Sequence, residues 1–149
     1  MKPNNQTTED LREWYFFDAQ GKILGRLATE IADSLRAKKK ANFAPNADNG
    51  AFVVVINADN FVLTGKKEES KRYYAHTGYL GNLKTQTLPE LKKSKPGLAL
   101  TKAVAGMLPK NKLQKCFLDR LKVYTGAEHP HMNAKFVNVD GTTKPEPKL

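Results

Sequence analysis

The chain has 149 residues, 40% of them hydrophobic and 9% aromatic, which suits one globular domain with a real core and argues against disorder and against two full domains. Twenty-five lysines and arginines against fifteen carboxylates give a net charge of +10 and a pI near 9.7, a balance that points to a polyanionic partner. No stretch approaches the roughly 20 apolar residues of a membrane span, and a single cysteine excludes an intrachain disulfide and suggests a reducing compartment.

Residues 1–13 form a polar arm with no apolar segment and three acids, unlike a secretory signal or a transit peptide, so a soluble intracellular protein is expected. Next, "EWYFFDAQG" is a short aromatic run ended by turn residues, which suits a strand buried on both faces. Leu24, Leu27, Ala28, Ile31 and Leu35 then mark one stripe of a helix, and the cations Arg36 to Lys40 sit at its C-terminus, where they suit the macrodipole. "AFVVVINA", residues 51–58, carries four consecutive β-branched residues and predicts a strand, completing a crossover unit of a parallel sheet. "FVLTG" is a shorter extended piece. "KRYYAHTGYLGNLK" and "NLKTQTL" together predict two extended arms around a glycine-bearing turn, projecting from the core.

The second half is helical. "LPELKKSK" carries Pro89 near a first helical position, and "GLALTKAVAGML" repeats apolar residues until Pro109. A third helix is expected after Asn111 as N-cap, with Leu113, Phe117 and Leu121 on one side and a buried Cys116, followed by a strand in "LKVYTG". From His129 onward there is no period and three prolines occur, which predicts a tail, residues 129–149, that is extended or ordered only by a partner. The expected organisation is therefore a small, mainly parallel sheet with helices on both faces over residues 14–128, with a projecting basic hairpin-like element and two irregular ends.

Charge is unevenly placed. Residues 1–35 hold four cations and six acids, a net of −2, whereas residues 36–149 hold 21 cations and nine acids, a net of +12. The binding surface therefore belongs to the later segments. The glycines of "GKILGR" stand where a strand meets a helix, yet neither the P-loop nor the dinucleotide fingerprint is matched, so an enzyme using a nucleotide at the Gly21 to Gly25 turn is the weaker alternative. His129 and His131 lack the spacing partners of a zinc site, and Cys116 and the serines lack a nucleophile motif; no metal and no cofactor is expected. Nucleic acid remains. Lys66, Lys67, Lys71 and Arg72 suit phosphates, while Tyr73, Tyr74, His76 and Tyr79 offer flat faces for bases or ribose, about half of them with a core role instead. Gly78 and Gly81 allow close backbone approach. Lys110, Lys112 and Lys115 at a proline-marked helix junction form a second basic cluster, and Arg36 to Lys40 a third.

"WYFFDAQGKILGRLAT", "YYAHTGYLGNLK", "GMLPKNKL" and "LKVYTGAEHPH" resemble, in this order and with similar spacing from Trp14 to His131, the family of large-subunit ribosomal protein thirteen in its bacterial form. The resemblance implies an α/β domain that binds large-subunit ribosomal RNA, supports early subunit assembly in the cytoplasm beside neighbouring ribosomal proteins, and has no catalytic role, small-molecule substrate, membrane attachment or homo-oligomeric form. Carried onto this sequence, it implies RNA contacts at Lys38, Lys39, Lys40, Lys66, Lys67, Arg72, Tyr74, His76, Thr77, Gly78, Lys110 and His129.

Overall fold

The β-branched run is the centre of the fold. In the computed structural model, which describes residues 12–41, 43–131 and 134–137, strand β1 spans Trp14–Asp18, helix α1 Leu24–Arg36, and strand β2 Phe52–Ile56. A short helix α2 (Lys67–Ser70), the strands β3 (Arg72–His76) and β4 (Leu83–Thr87), and the helices α3 (Leu88–Ser94), α4 (Leu98–Met107) and α5 (Leu113–Asp119) follow. Strands β5 (Leu121–Val123) and β6 (Phe136–Val137) complete the described chain.

Strands β5, β2, β1 and β6 lie in that order in one sheet, every pairing parallel, while β3 and β4 form a separate antiparallel pair. The α/β architecture, the parallel sheet and the hairpin are as the sequence predicts. Among the described residues, "FVLTG" contributes a single bridge, Ile23 to Val62.

Period-2 alternation divides the sheet into two faces. Phe17, Val53, Val55 and Leu121 join Leu24, Leu27, Ala28, Ile31 and Leu35 of α1 in one core, with Leu100 and Val104 of α4, Phe117 of α5 and Leu88 and Leu91 of α3. Trp14, Phe16, Phe52 and Phe136 occupy the other face. Rings cover this second face: Trp14 stacks on Phe52 at 4.6 Å between centroids, and His129 packs against Phe16 and Phe136 at 5.6 and 5.7 Å. Strand β1 is accordingly only half-buried at Trp14, Tyr15 and Phe16 rather than enclosed on both sides.

Four expectations near the C-terminal end are corrected. The cap of helix α5 is Lys112, one residue after the predicted Asn111; Lys112 itself has helical backbone angles, and the Asn111 carbonyl accepts the Gln114 N–H at 3.1 Å. The helix stops at Asp119, so Leu121 belongs to β5, and Cys116 is exposed because only Phe117 of this short helix is buried. Phe136 and Val137 are held as a strand by Trp14 and Tyr15, so this part of the tail is ordered within the chain itself. The remaining expectations for residues 1–11 and 138–149 lie outside the described residues.

One cation is engaged entirely in folding. Arg120, 5% exposed, joins Asp48 through two hydrogen bonds and donates to the carbonyls of Leu35 (3.1 Å) and Ala51 (3.3 Å), tying the end of α1 to β2 and β5. Gly50 makes this possible, since a Cβ there would stand 1.7 Å from the Leu35 carbonyl oxygen and 2.7 Å from the Arg120 guanidinium. Burial pushes the Asp48 carboxyl up, but Arg120, with Arg12 at 3.4 Å, outweighs it and holds the group below the usual range.

Candidate nucleic-acid interface

The β3–β4 hairpin stands away from the core because its own side chains give it little to bury. Arg72, Tyr74 and His76 pair with Thr87, Thr85 and Leu83 on one face, and Ala75 pairs with Lys84 on the other; all of these except Thr87 are exposed. From Lys71 to Pro89 the sequence carries three cations and no carboxylate, so the element is a positive arm.

Its turn is fixed locally. Gly78 and Gly81 adopt φ of 93° and 75°, angles that L side chains rarely take, and no atom crowds either position, so backbone conformation alone calls for glycine there. The Gly78 N–H donates to Nδ1 of His76 at 2.9 Å and the Asn82 N–H to the Tyr79 carbonyl at 3.2 Å. Tyr79 and Leu80 project from this turn, 75% and 104% exposed.

Its base is anchored by helix α3. Thr87 and Glu90 form a capping box in which the Glu90 carboxylate accepts the Thr87 N–H at 2.9 Å; this bond holds the Glu90 pKa low. Leu88 and Leu91 of the same helix are fully buried, so the hairpin is tethered by a helix whose other face belongs to the core. Tyr73 completes the anchor: it is half-buried against the core, and burial raises its pKa. The ammonium groups of Lys71 and Lys102 lie 5.6 and 5.3 Å from its ring centre. Tyr73 thus takes the core role expected of part of the aromatic set, while Tyr74, His76 and Tyr79 are exposed.

The structure separates the predicted basic residues into different settings. Lys66 and Lys67 are exposed at α2, immediately before the hairpin, and Thr77 and Gly78 are exposed in its turn. Lys110, Lys112 and Lys115 are exposed around the start of α5, where the Gln114 amide donates to the Ala105 carbonyl at 2.7 Å and ties α5 to α4. Lys38, Lys39 and Lys40 follow the C-terminal end of the 13-residue α1, a helix about 20 Å long. Within this run, Lys39 is exposed and has no ion pair among the described residues, Lys38 is 3.7 Å from Asp33, and Lys40 is 2.9 Å from Glu13. The Lys40 hydrogen bond is the main cause of a lowered Glu13 pKa, so this lysine already has a carboxylate partner.

His129 is placed differently from the others. It is 6% exposed in the ring cluster on the second sheet face, with Nδ1 buried and unpartnered, and it presents almost no surface to solvent. His131 lies beside it, ring centroids 6.5 Å apart, and its Nε2 is 3.0 Å from the Tyr124 hydroxyl. Sequence reasoning did not find Lys102, which reaches Tyr73 from a different helix and has no local motif to announce it.

The architecture is that of a small basic α/β domain with an anchored, cation-rich hairpin. Residues 12–130 match the family model described as Ribosomal protein L13. Large ribosomal subunit protein uL13 of Nitratidesulfovibrio vulgaris is 52% identical over 136 residues, which cover 91% of this chain and 94% of that protein. The uL13 protein of Oleidesulfovibrio alaskensis is 51% identical over 88% of this chain and 92% of its own, and that of Desulfotalea psychrophila 54% identical over 80% and 84%. The chain belongs to the ribosomal protein L13 family.

Proposed function

We propose that the chain is a structural constituent of the large ribosomal subunit in the cytoplasm, where it binds large-subunit ribosomal RNA and supports early assembly beside other ribosomal proteins. The observation that carries this reading is the hairpin: an anchored element with three cations, no carboxylate, and exposed Tyr74, His76 and Tyr79 rings. Arg72, Lys66 and Lys67 neutralise phosphates, releasing counterions, while Tyr74, His76, Thr77 and the Gly78 backbone meet bases or ribose at the turn. Lys110, Lys112 and Lys115 extend the grip, and Lys38 and Lys39 reach a second RNA segment from the far end of α1. Lys40 and His129 enter this reading only with rearrangement, because Lys40 is paired with Glu13 and His129 is buried. The role needs no catalytic group.

The test is sedimentation of the endogenous protein with ribosomal subunits before and after a high-salt wash. Recovery with the large subunit through the wash is expected. Recovery in the soluble fraction alone would overturn the reading.

A further inference from the structure

A cleft of about 440 Å³ opens where the first turn of α1, the last turn of α4 and the segment leading into β3 meet. It lies beyond the carboxyl end of β1, the edge of an open parallel sheet at which ligands are usually held, and its volume falls in the usual small-ligand range of about 300–1,000 Å³. Its wall has two chemistries. Leu63, Ala103 and Met107 are apolar, and three lysines bring ammonium groups from two segments, Lys67 and Lys71 from the stretch leading into β3 and Lys102 from α4.

No carboxylate lies within ion-pair distance of these three lysines among the described residues, and none lines the cleft. Lys71 and Lys102 are gathered over the single ring of Tyr73, so like charges converge with no internal counter-charge. An anion relieves that repulsion. A bare phosphate would leave the apolar half unused. Met107, 42% exposed and polarizable, and Leu63 instead suit the flat face of a base. Glycines at 25 and 106 keep the space open between α1 and α4: outside their own helices, no heavy atom lies within 4 Å of where a Cβ would stand on either.

We propose that this cleft receives one everted nucleotide of the bound ribosomal RNA, its base against Leu63 and Met107 and its phosphate on Lys67, Lys71 and Lys102. This rests on the RNA-binding reading above and adds Lys102 and Met107 to the surface. The cleft adjoins the hairpin through Lys71, so one RNA strand reaches both.

The test uses the full chain and deproteinised large-subunit ribosomal RNA. Gly106→Leu fills the cleft without removing a cation, and leucine suits a helix better than glycine, so the fold is retained. It is expected to weaken RNA binding at least about tenfold, the scale of one lost base stack, without lowering the melting temperature. Gly106→Ala is expected to bind as the parent does, and Lys102→Met to lower the salt slope by about one. Parental affinity in Gly106→Leu would overturn the cleft, and the hairpin grip would stand if Lys67→Ala with Arg72→Ala still weakened binding. Failure of the parent chain to bind this RNA would remove both readings. Binding of adenosine monophosphate to the cleft, with RNA affinity untouched by Gly106→Leu, would overturn the proposal in favour of a free nucleotide.

Discussion

The two aromatic regions of this molecule use the same residue types in opposite ways. On the second face of the sheet, Trp14, Phe16, Phe52, Tyr124, His129, His131 and Phe136 meet one another, with ring centroids between 4.6 and 6.5 Å apart. In the hairpin, Tyr74, His76 and Tyr79 are instead open to solvent. The cations divide likewise: Arg120 is buried among four acceptor contacts, whereas Arg72 is exposed and has no ion pair among the described residues. Composition alone does not separate a core role from a binding role; neighbours do.

The largest effect is expected from Arg120→Ala, which leaves Asp48 without its main partner and two buried carbonyls without a donor. A loss of about 3 kcal/mol in urea unfolding is expected. Loss of RNA affinity by fully folded Arg120→Ala would show that the guanidinium also serves binding. Next, Phe52→Ala removes the face that Trp14 stacks on and should cost about 2 kcal/mol of stability. Its counterpart Tyr74→Ala should leave stability within about 0.5 kcal/mol and weaken RNA binding instead. An equal stability loss in both would erase the distinction.

Lys67→Ala combined with Arg72→Ala should lower RNA affinity about tenfold or more and reduce the salt slope by about two, at an unchanged melting temperature. Unchanged affinity would remove these cations from the interface. The smallest effect is electrostatic and belongs to the sheet side. Burial, followed by the charges of His129 and Lys122, holds the His131 imidazole below its ordinary value of 6.5. The folded state therefore takes up fewer protons than the unfolded one, so stability falls as pH drops through about 6.5 and levels off once the folded imidazole is protonated. Urea midpoints between about pH 7.5 and 5.5 should show this fall, reduced in His131→Gln. A pH dependence identical in the two proteins would exclude His131 as its source.

Much of this was legible in the sequence wherever the signal was local. The 3.6-residue stripe of α1, the β-branched run of β2 and the glycines between β3 and β4 each announce their element within a dozen residues. The four ordered motifs carried the family. The misses concern the length of one short helix and contacts between distant segments. Cys116 looked buried because Leu113 and Phe117 share a stripe with it, but a seven-residue helix seats only Phe117. Two residues of β6 are too few to show alternation, and their pairing depends on the open edge of β1. The burial of His129, the Arg120 to Asp48 tie and the convergence of three lysines on one cleft all join segments far apart in the chain.

The pairing of β6 with β1 has a kinetic consequence. Trp14 and Phe136 come from opposite ends of the described chain and run parallel, so no tight turn can bring them into register. Closing so large a loop is slow, and this edge is therefore expected to be the last part of the sheet to form. Until then β1 shows an aromatic, hydrogen-bond-hungry border, the kind of edge at which chains stick to one another. In a refolding vessel the yield of this protein should depend steeply on its concentration, and the two short residues of β6 act as the cover that ends that window.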